Sequence, residues 1–286
     1  MKMIKPIVNI SKVADNYDTF VLGFNGVLTD GAGIYPDAAN ALISLYKNDK
    51  KIILLSNSPL RIAALVSWLQ ANKVPLELFS CIMTAGEILH YKLKAATGEF
   101  AAIGTDYFHL GNPADKGVFS GLDFHAVHAL ETAHFLYMSA VSDQTDLLEK
   151  YLPALEHAAG LGLPFICAGN DTSCFLNGKI ALAPGALAEQ YAVMGGRIVT
   201  LGKPDARLFN YCLDGIENPG NVLVIGDNVA TDIKGAELLG LDSMLISKGI
   251  HVNFLGEGYI PDVAKTRELS NNYDASPNYV VSGLRW

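Results

Sequence analysis

The chain has 286 residues, enough for one large or two ordinary domains with a full hydrophobic core. Half of the residues are hydrophobic and 17% are charged, a balance typical of a folded protein rather than a disordered one. The formal net charge of -8 argues against nucleic acid or an anionic membrane as the main partner, and no apolar run has the length of a membrane span.

The cysteines indicate a reducing compartment. Cys81, Cys167, Cys174 and Cys212 form no C-x-x-C pair and no regular framework, so we expect buried free thiols. The N-terminal stretch MKMIKPIVNISKVADNYD lacks the continuous apolar segment of a signal peptide. Together these features predict a cytoplasmic protein.

Short apolar runs alternate with helical patterns along the chain. Continuous apolar runs predict strands covered on both faces at TFVLGF, KIILLS, NVLVIGD and SMLIS. Apolar residues at three- and four-residue steps predict helices at DAANALISLYKNDK, PLRIAALVSWLQANK and TDIKGAELLGL. This alternation predicts an α/β fold with a doubly wound parallel sheet, in which ligands bind beyond the carboxyl ends of the strands.

A second α/β unit interrupts the first. EFAAIGT, HFLYMSA and LPFICAGN predict further strands, while TDLLEKYLPALEHAAGLG and GALAEQYAVMGG predict helices. The chain then divides into a core domain of residues 1–87 and 193–286 and an inserted α/β domain of residues 88–192.

Four predicted strand ends or helix starts carry polar groups that a doubly wound sheet brings to one edge. Ser56 and Asn57 precede a helix, where backbone N–H groups and the helix dipole favour a phosphate, although a serine here also serves as a simple helix cap. The others are the turn at Gly23 and Asn25, the Gly-Lys-Pro at Lys203, and Gly-Asp-x-x-x-Thr-Asp with Asp227 and Asp232.

In this order, the motifs resemble those of the haloacid dehalogenase (HAD) superfamily of phosphatases. The inserted unit between Ser56 and Lys203 is similar to the class IIA cap of that superfamily, the group of sugar-phosphate, nucleotide and pyridoxal-phosphate phosphatases. The similarity covers roughly residues 17–250. It implies a HAD-like core with an inserted α/β cap, a small phosphorylated metabolite as ligand, and Mg²⁺ as cofactor. Because such caps often join in dimer contacts, it also suggests a homodimer.

The resemblance assigns a role to each matching residue. Ser56 and Asn57 would bind the phosphate, and Lys203 would neutralise charge on the transferring phosphoryl group. Mg²⁺ would be held by Asp227 and by the backbone carbonyl of Asn25, with Asp232 as a supporting carboxylate. We also expect Lys203 to pair with Asp227 when the site is empty.

The first motif departs from the family pattern. In the family's phosphatases the first strand ends in Asp-x-Asp, whose first Asp attacks the phosphoryl group and whose second acts as acid and base. Here Gly23 occupies the nucleophile position and Asn25 the acid/base position. Glycine offers neither a nucleophile nor a metal ligand, so the sequence predicts impaired catalysis and weak Mg²⁺ binding.

Three hypotheses for function therefore stand. The chain is a degenerate phosphatase that keeps its phosphate pocket, or an active Mg²⁺-dependent phosphomonoesterase that uses a substitute such as Asp30, Asp227 or activated water. The third is a structural or interaction protein with a vestigial site. Asp18 lies at the wrong end of the first strand to substitute. His125 and His128 have a spacing that would suit a metal on a helix, but DFHAVHAL favours a strand, and scattered cap histidines explain them better.

Overall fold

The computed structural model describes residues 3–115, 117–141 and 143–286. The strands are β1 Lys5–Pro6, β2 Thr19–Leu22, β3 Lys51–Ser56, β4 Cys81–Thr84, β5 Asp106–Leu110, β6 His125–Val127, β7 Phe135–Met138, β8 Phe165–Ala168, β9 Ser173–Leu176, β10 Lys179–Leu182, β11 Ile198–Leu201, β12 Val222–Gly226, β13 Asp242–Ile246 and β14 Tyr279–Val281. The α-helices are α1 Pro36–Lys47, α2 Ile62–Ala71, α3 Ala85–Ala95, α4 Leu152–Gly160, α5 Pro184–Val193, α6 Ala206–Leu213, α7 Lys234–Leu238, α8 Val252–Leu255 and α9 Val263–Asn272. In the described ranges, no helix is both long and apolar enough to cross a membrane.

The larger sheet is parallel throughout and has the order β1-β14-β13-β12-β2-β3-β4. Strand β2 lies inside this sheet and is buried on both faces: Phe20 and Leu22 pack into one apolar cluster and Val21 into another. From β2 the chain adds β3 and β4 on one side and later β12 to β14 on the other. The order of strands therefore reverses between β2 and β12, where doubly wound sheets bind their ligands. The predicted α/β fold is confirmed.

The second sheet is also parallel, with the order β11-β8-β7-β5-β6, and the hairpin β9-β10 lies beside it. The prediction of a strand at EFAAIGT was wrong. Residues Gly98–Phe100 form a short 3₁₀ turn, and strand β5 follows Gly104, whose φ is +79°. Since the segment has small residues at its centre and a glycine at its end, the apolar pattern alone could not hold it in a sheet.

The two sheets meet through helix α3. An apolar cluster extends from Ile53 of the larger sheet through Leu89 and Leu93 of α3 to Tyr107 and Phe135 of the second sheet. Strand β11 belongs to the second sheet although it follows residue 192. The chain therefore returns to the core domain after Leu201 and not at residue 193. The difference arises because β11 adds one more parallel strand to the second sheet before the chain crosses back.

Candidate functional site

The turn after β2 is shaped by close contact with Asp227. Gly23 continues the sheet, since its N–H donates to the carbonyl of Ile225 at 2.9 Å. Gly26 has φ +72°, and a Cβ there would lie 1.7 Å from Asp227 Oδ2. Only glycine fits this position, because a side chain would displace the carboxylate. The turn thus brings the backbone of Asn25 and Gly26 against the carboxylate predicted to hold a metal.

Position 23 has the space and direction for a side chain that glycine does not supply. A Cβ built on Gly23 would lie 3.5 Å from Asp232 Oδ1, an ordinary contact, and 3.2 Å from Val27 Cγ2, a tight one. Gly23 lies outside the left-handed region, so backbone strain does not require glycine here. The sequence alone therefore determines that no functional group enters the site from this position.

Ser56 and Asn57 end β3 and join the core to Lys203. Ser56 Oγ accepts a hydrogen bond from the Ser58 N–H at 3.1 Å, which shapes the loop before α2. Asn57 Oδ1 accepts from the Lys203 N–H at 2.7 Å, and its Nδ2 donates to the Lys203 carbonyl at 3.2 Å. Asn57 therefore holds the backbone of Lys203 in addition to lining the cavity.

Lys203 is buried, with 4% of its surface exposed, and it pairs with Asp232 rather than with Asp227. Its Nζ donates to Asp232 Oδ1 at 2.6 Å and to the Leu55 carbonyl at 3.0 Å. The expected pairing with Asp227 was wrong, because Asp227 Oδ2 accepts from the Ile250 N–H at 2.8 Å on the other side of the site. Burial lowers the pKa of Lys203, but Asp232 and Asp171 outweigh it and the net change is upward.

Asp171 is a site residue that the sequence reasoning missed. It follows β8, and its Oδ1 accepts from Asn228 Nδ2 at 2.9 Å and from Thr231 Oγ1 at 2.8 Å. The sequence did contain a signal for Asp171, because it is a carboxylate just past a predicted strand. The same signal identified Asp227. These two hydrogen bonds connect the loop after β8 of the second sheet to the loop that carries Asp227.

The site has more carboxylates than cations. Burial, followed by the charge of Asp232, raises the pKa of Asp227 well above its usual range, and burial likewise raises that of Asp171. Three carboxylates, Asp171, Asp227 and Asp232, stand against the single ammonium of Lys203 among the described cavity-lining residues. Such a cluster of buried carboxyl groups is stabilised either by protonation or by a bound cation.

These groups line a cavity of about 290 Å³ between the two sheets. Among the predicted site residues, the lining includes Asn25, Ser56, Asn57, Lys203, Asp227 and Asp232. Gly23 is not in this lining. The structure therefore brings the predicted binding residues together around one cavity and leaves the first motif position without a group.

Asp227, one of the carboxylates considered as a substitute nucleophile, lines the cavity, whereas Asp30 and Asp18 do not. Asp30 Oδ1 accepts from the Ala32 N–H at 3.0 Å, its backbone carbonyl accepts from the Gly178 N–H at 2.8 Å, and the residue does not line the cavity. Asp18 precedes β2, where its Oδ2 accepts from the Asn221 N–H at 2.8 Å. Asp18 is thus at the opposite end of the strand from the cavity, as predicted.

No group of three or more His, Cys, Asp or Glu side chains in the described ranges is arranged to hold a metal. His125 lies on strand β6, 63% exposed and 3.5 Å from Asp106, which supports the interpretation of scattered cap histidines. Magnesium needs only one or two carboxylates together with waters, so the donors at Asp227 and the Asn25 backbone fit a weakly held ion. Both oxygens of Asp232 already accept hydrogen bonds, from Lys203 Nζ and from the Asn228 N–H at 3.2 Å.

Known proteins resemble this chain over nearly its whole length. A family model described as haloacid dehalogenase-like hydrolase matches residues 17–240, and another described as HAD-hydrolase-like matches residues 200–286. None of the curated proteins compared matches the chain. A haloacid dehalogenase-like hydrolase from Brucella suis 1330 has a similar structure, with a TM-score of 0.81 and 27% identity over 96% of this chain and 98% of that one.

Two further solved structures share the fold at lower identity. A possible sugar phosphatase of the HAD superfamily from Cytophaga hutchinsonii has a TM-score of 0.71 and 17% identity, over 99% of this chain and 98% of that one. A glycerol phosphate phosphatase from Mycobacterium tuberculosis, solved in complex with magnesium, has a TM-score of 0.63 and 16% identity, over 97% and 76%. At these identities the likeness shows a common fold.

Proposed function

The chain belongs to the haloacid dehalogenase-like hydrolase family, and on that premise we propose that it binds a small phosphorylated metabolite without transferring the phosphoryl group. The observation that carries the proposal is Gly23. Its backbone is placed as the next residue of β2 beside Asp232, yet it supplies no carboxylate to a site whose other predicted binding residues line one cavity.

The missing groups explain why the usual reaction would stop. In the phosphatases that this chain resembles, the first Asp of Asp-x-Asp forms the aspartyl-phosphate and the second moves a proton. Gly23 has no atom that can attack phosphorus, and the amide of Asn25 cannot take up a proton at neutral pH. Removing a nucleophile that works as part of a unit lowers kcat by several orders of magnitude. Binding, by contrast, depends on Ser56, Asn57 and Lys203, which are present.

A divalent cation would complete the phosphate site. We propose that Asp227 and the Asn25 carbonyl hold Mg²⁺ weakly, while Asp232 supports the site by fixing Lys203 and the Asn228 backbone. The bound ion would supply a positive charge next to a phosphoryl oxygen. Because Lys203 is the single cation beside Asp171, Asp227 and Asp232, a phosphate dianion without a metal would have one ammonium to offset its charge. We therefore expect phosphate binding to depend on Mg²⁺.

Two measurements test this function. In calorimetric titrations, inorganic phosphate should bind the wild-type protein in the presence of Mg²⁺ and lose that binding when EDTA removes the metal. In turnover assays with p-nitrophenyl phosphate and Mg²⁺, the wild type should stay at background. The double variant Gly23→Asp, Asn25→Asp should gain at least roughly a hundredfold, since it restores both the nucleophile and the acid/base.

A matched control separates a restored carboxylate from a restored side chain. Gly23→Asn combined with Asn25→Asp fills the same volume without the nucleophile and should remain at background. Ordinary turnover by the wild type that Asp227→Asn abolishes would overturn the proposal in favour of the active phosphomonoesterase. Absence of any phosphate binding with Mg²⁺ would instead favour a structural or interaction protein with a vestigial site.

A further inference from the structure

The cavity wall away from the phosphate-binding groups is almost free of charge. The second sheet and its hairpin contribute a largely apolar set to the lining, including Val141, Phe175, Leu176 and Leu182, together with Asp171 and Cys174. Of these, Asp171 is directed to the core loop by its bonds to Asn228 and Thr231. Burial, followed by Asp171, raises the pKa of the Cys174 thiol to about 12, so that thiol stays neutral.

The core domain adds an aromatic pair to the same wall. Phe24, in the turn after β2, and Trp68, on α2, both line the cavity and meet edge to face, with ring centroids 4.9 Å apart and planes at 89°. Leu60 extends this surface from the loop before α2. Edge-to-face rings present flat and edge surfaces to a third apolar group, which is a favourable environment for an aromatic ring.

The charges of the lining exclude ligands with a second acidic group. Lys203 is the single Lys or Arg among the described lining residues, and its ammonium is bonded to Asp232 and to the Leu55 carbonyl. A second phosphate or a carboxylate on the ligand would be buried without a cation and near three carboxylates, which is strongly unfavourable. A polyol is disfavoured too, because Ser173 supplies the one side-chain hydroxyl in the described wall of the second sheet.

From these observations, and resting on the proposed function, we propose that the ligand is a phosphomonoester with a small, uncharged, apolar and preferably aromatic body. The phosphate lies at Ser56, Asn57 and Lys203, and the body lies against Phe24, Trp68 and the hairpin. The cavity volume of about 290 Å³ is at the lower end of the range of ligand pockets, which limits the body to about one ring.

Calorimetric titration of the wild-type protein with Mg²⁺ tests the proposal, using phenyl phosphate, glycerol 3-phosphate and 4-carboxyphenyl phosphate. Phenyl phosphate should bind at least about tenfold more tightly than glycerol 3-phosphate, because its ring removes apolar surface from water. Phenyl phosphate should also bind about tenfold more tightly than 4-carboxyphenyl phosphate, because the described lining has no second cation to pair with the added carboxylate. Equal or tighter binding of either comparator would overturn the proposal.

A pair of variants locates the ring. Trp68→Ala should bring the affinity for phenyl phosphate close to that for inorganic phosphate, while inorganic phosphate itself binds as before. Tyr211→Ala, which truncates a half-exposed aromatic residue outside this cavity, should change neither affinity. If Trp68→Ala still bound phenyl phosphate more tightly than inorganic phosphate by the wild-type factor, the placement of the ring against Trp68 would be wrong. Should that variant fail to fold, the ligand comparison on the wild type still decides the proposal.

The outcomes distinguish this inference from the proposed function. If inorganic phosphate with Mg²⁺ binds but the ring adds nothing, the ligand class alone is wrong. If neither inorganic phosphate nor phenyl phosphate binds, the proposed function fails and the ligand class fails with it. Hydrolysis of phenyl phosphate at ordinary family rates would overturn the non-catalytic reading while leaving the preference for an apolar body measurable as kcat/KM.

Discussion

At the scale of single residues, the pair Lys203–Asp232 dominates the electrostatics of the site. Both side chains are almost fully buried, and their charged atoms are 2.6 Å apart. A buried ion pair adds little over an apolar pair, but the loss of one partner leaves the other without its directly hydrogen-bonded counter-charge. Asp232 thus holds the ammonium at the cavity and keeps it charged.

We predict that Asp232→Asn lowers the free energy of unfolding by about 3 kcal/mol, because the Lys203 ammonium then faces a neutral amide inside the protein. Urea denaturation measures this change. The control is Asp274→Asn, which removes the fully exposed partner of Lys234 and should leave the midpoint unchanged. Equal changes in the free energy of unfolding for the two variants would show that the buried pair contributes no more to stability than the exposed one.

At the scale of elements, the first turn of α3 holds the loop between β3 and α2. Thr84 caps α3 by accepting from the Glu87 N–H at 3.1 Å, and its hydroxyl donates to the Leu60 carbonyl at 2.7 Å. Glu87 accepts two bonds from Arg61, at 2.6 and 2.7 Å, and one from the Ile62 N–H at 3.1 Å. One helix N-terminus therefore holds residues 60–62, at the end of a loop that lines the cavity.

We predict that Glu87→Gln destabilises the protein by about 1–3 kcal/mol and increases amide hydrogen exchange in residues 58–62, since the charge-assisted bonds to Arg61 weaken. Denaturation and exchange mass spectrometry report the two effects. Glu131→Gln provides the control, because Glu131 is 59% exposed and faces His157 at the surface. Unaltered exchange in that loop would mean that α3 does not restrain it.

At the scale of the whole molecule, His251 links stability to pH. Burial lowers its pKa to about 4, and its Nε2 accepts a hydrogen bond from the Val229 N–H at 3.2 Å. In the unfolded chain the ring has a pKa of about 6.5. Between these two values the unfolded chain binds a proton that the folded protein does not, so acid favours unfolding.

We predict that the free energy of unfolding falls by up to about 3 kcal/mol as the pH decreases from about 6.5 to about 4, through His251 alone. His251→Gln keeps an acceptor for Val229 and should flatten this part of the profile. His128→Gln, at an exposed position, should leave the slope as in the wild type. Urea denaturation at a series of pH values measures the wild type and both variants. If His251→Gln kept the wild-type dependence of stability on pH, His251 would not be the group responsible.

Much of the fold and about half of the site followed from the sequence. Buried parallel strands are continuous apolar runs, so β2, β3 and β12 and the polar groups at their ends were predictable. Asp171 carried the signal of a carboxylate past a strand, but its contacts and the pairing of Lys203 with Asp232 were not predictable, because they depend on how the two units pack together. That Trp68 lines the cavity also follows only from the position of α2.

The apolar cluster that runs through α3 also governs how the molecule comes apart. Since Leu89 and Leu93 contact residues of both sheets within one cluster, separating the sheets exposes the buried faces of both at once. Opening between the sheets carries the cost of exposing both faces, which couples the two sheets in unfolding. We therefore expect the cavity, which both sheets line, to be lost when this cluster opens.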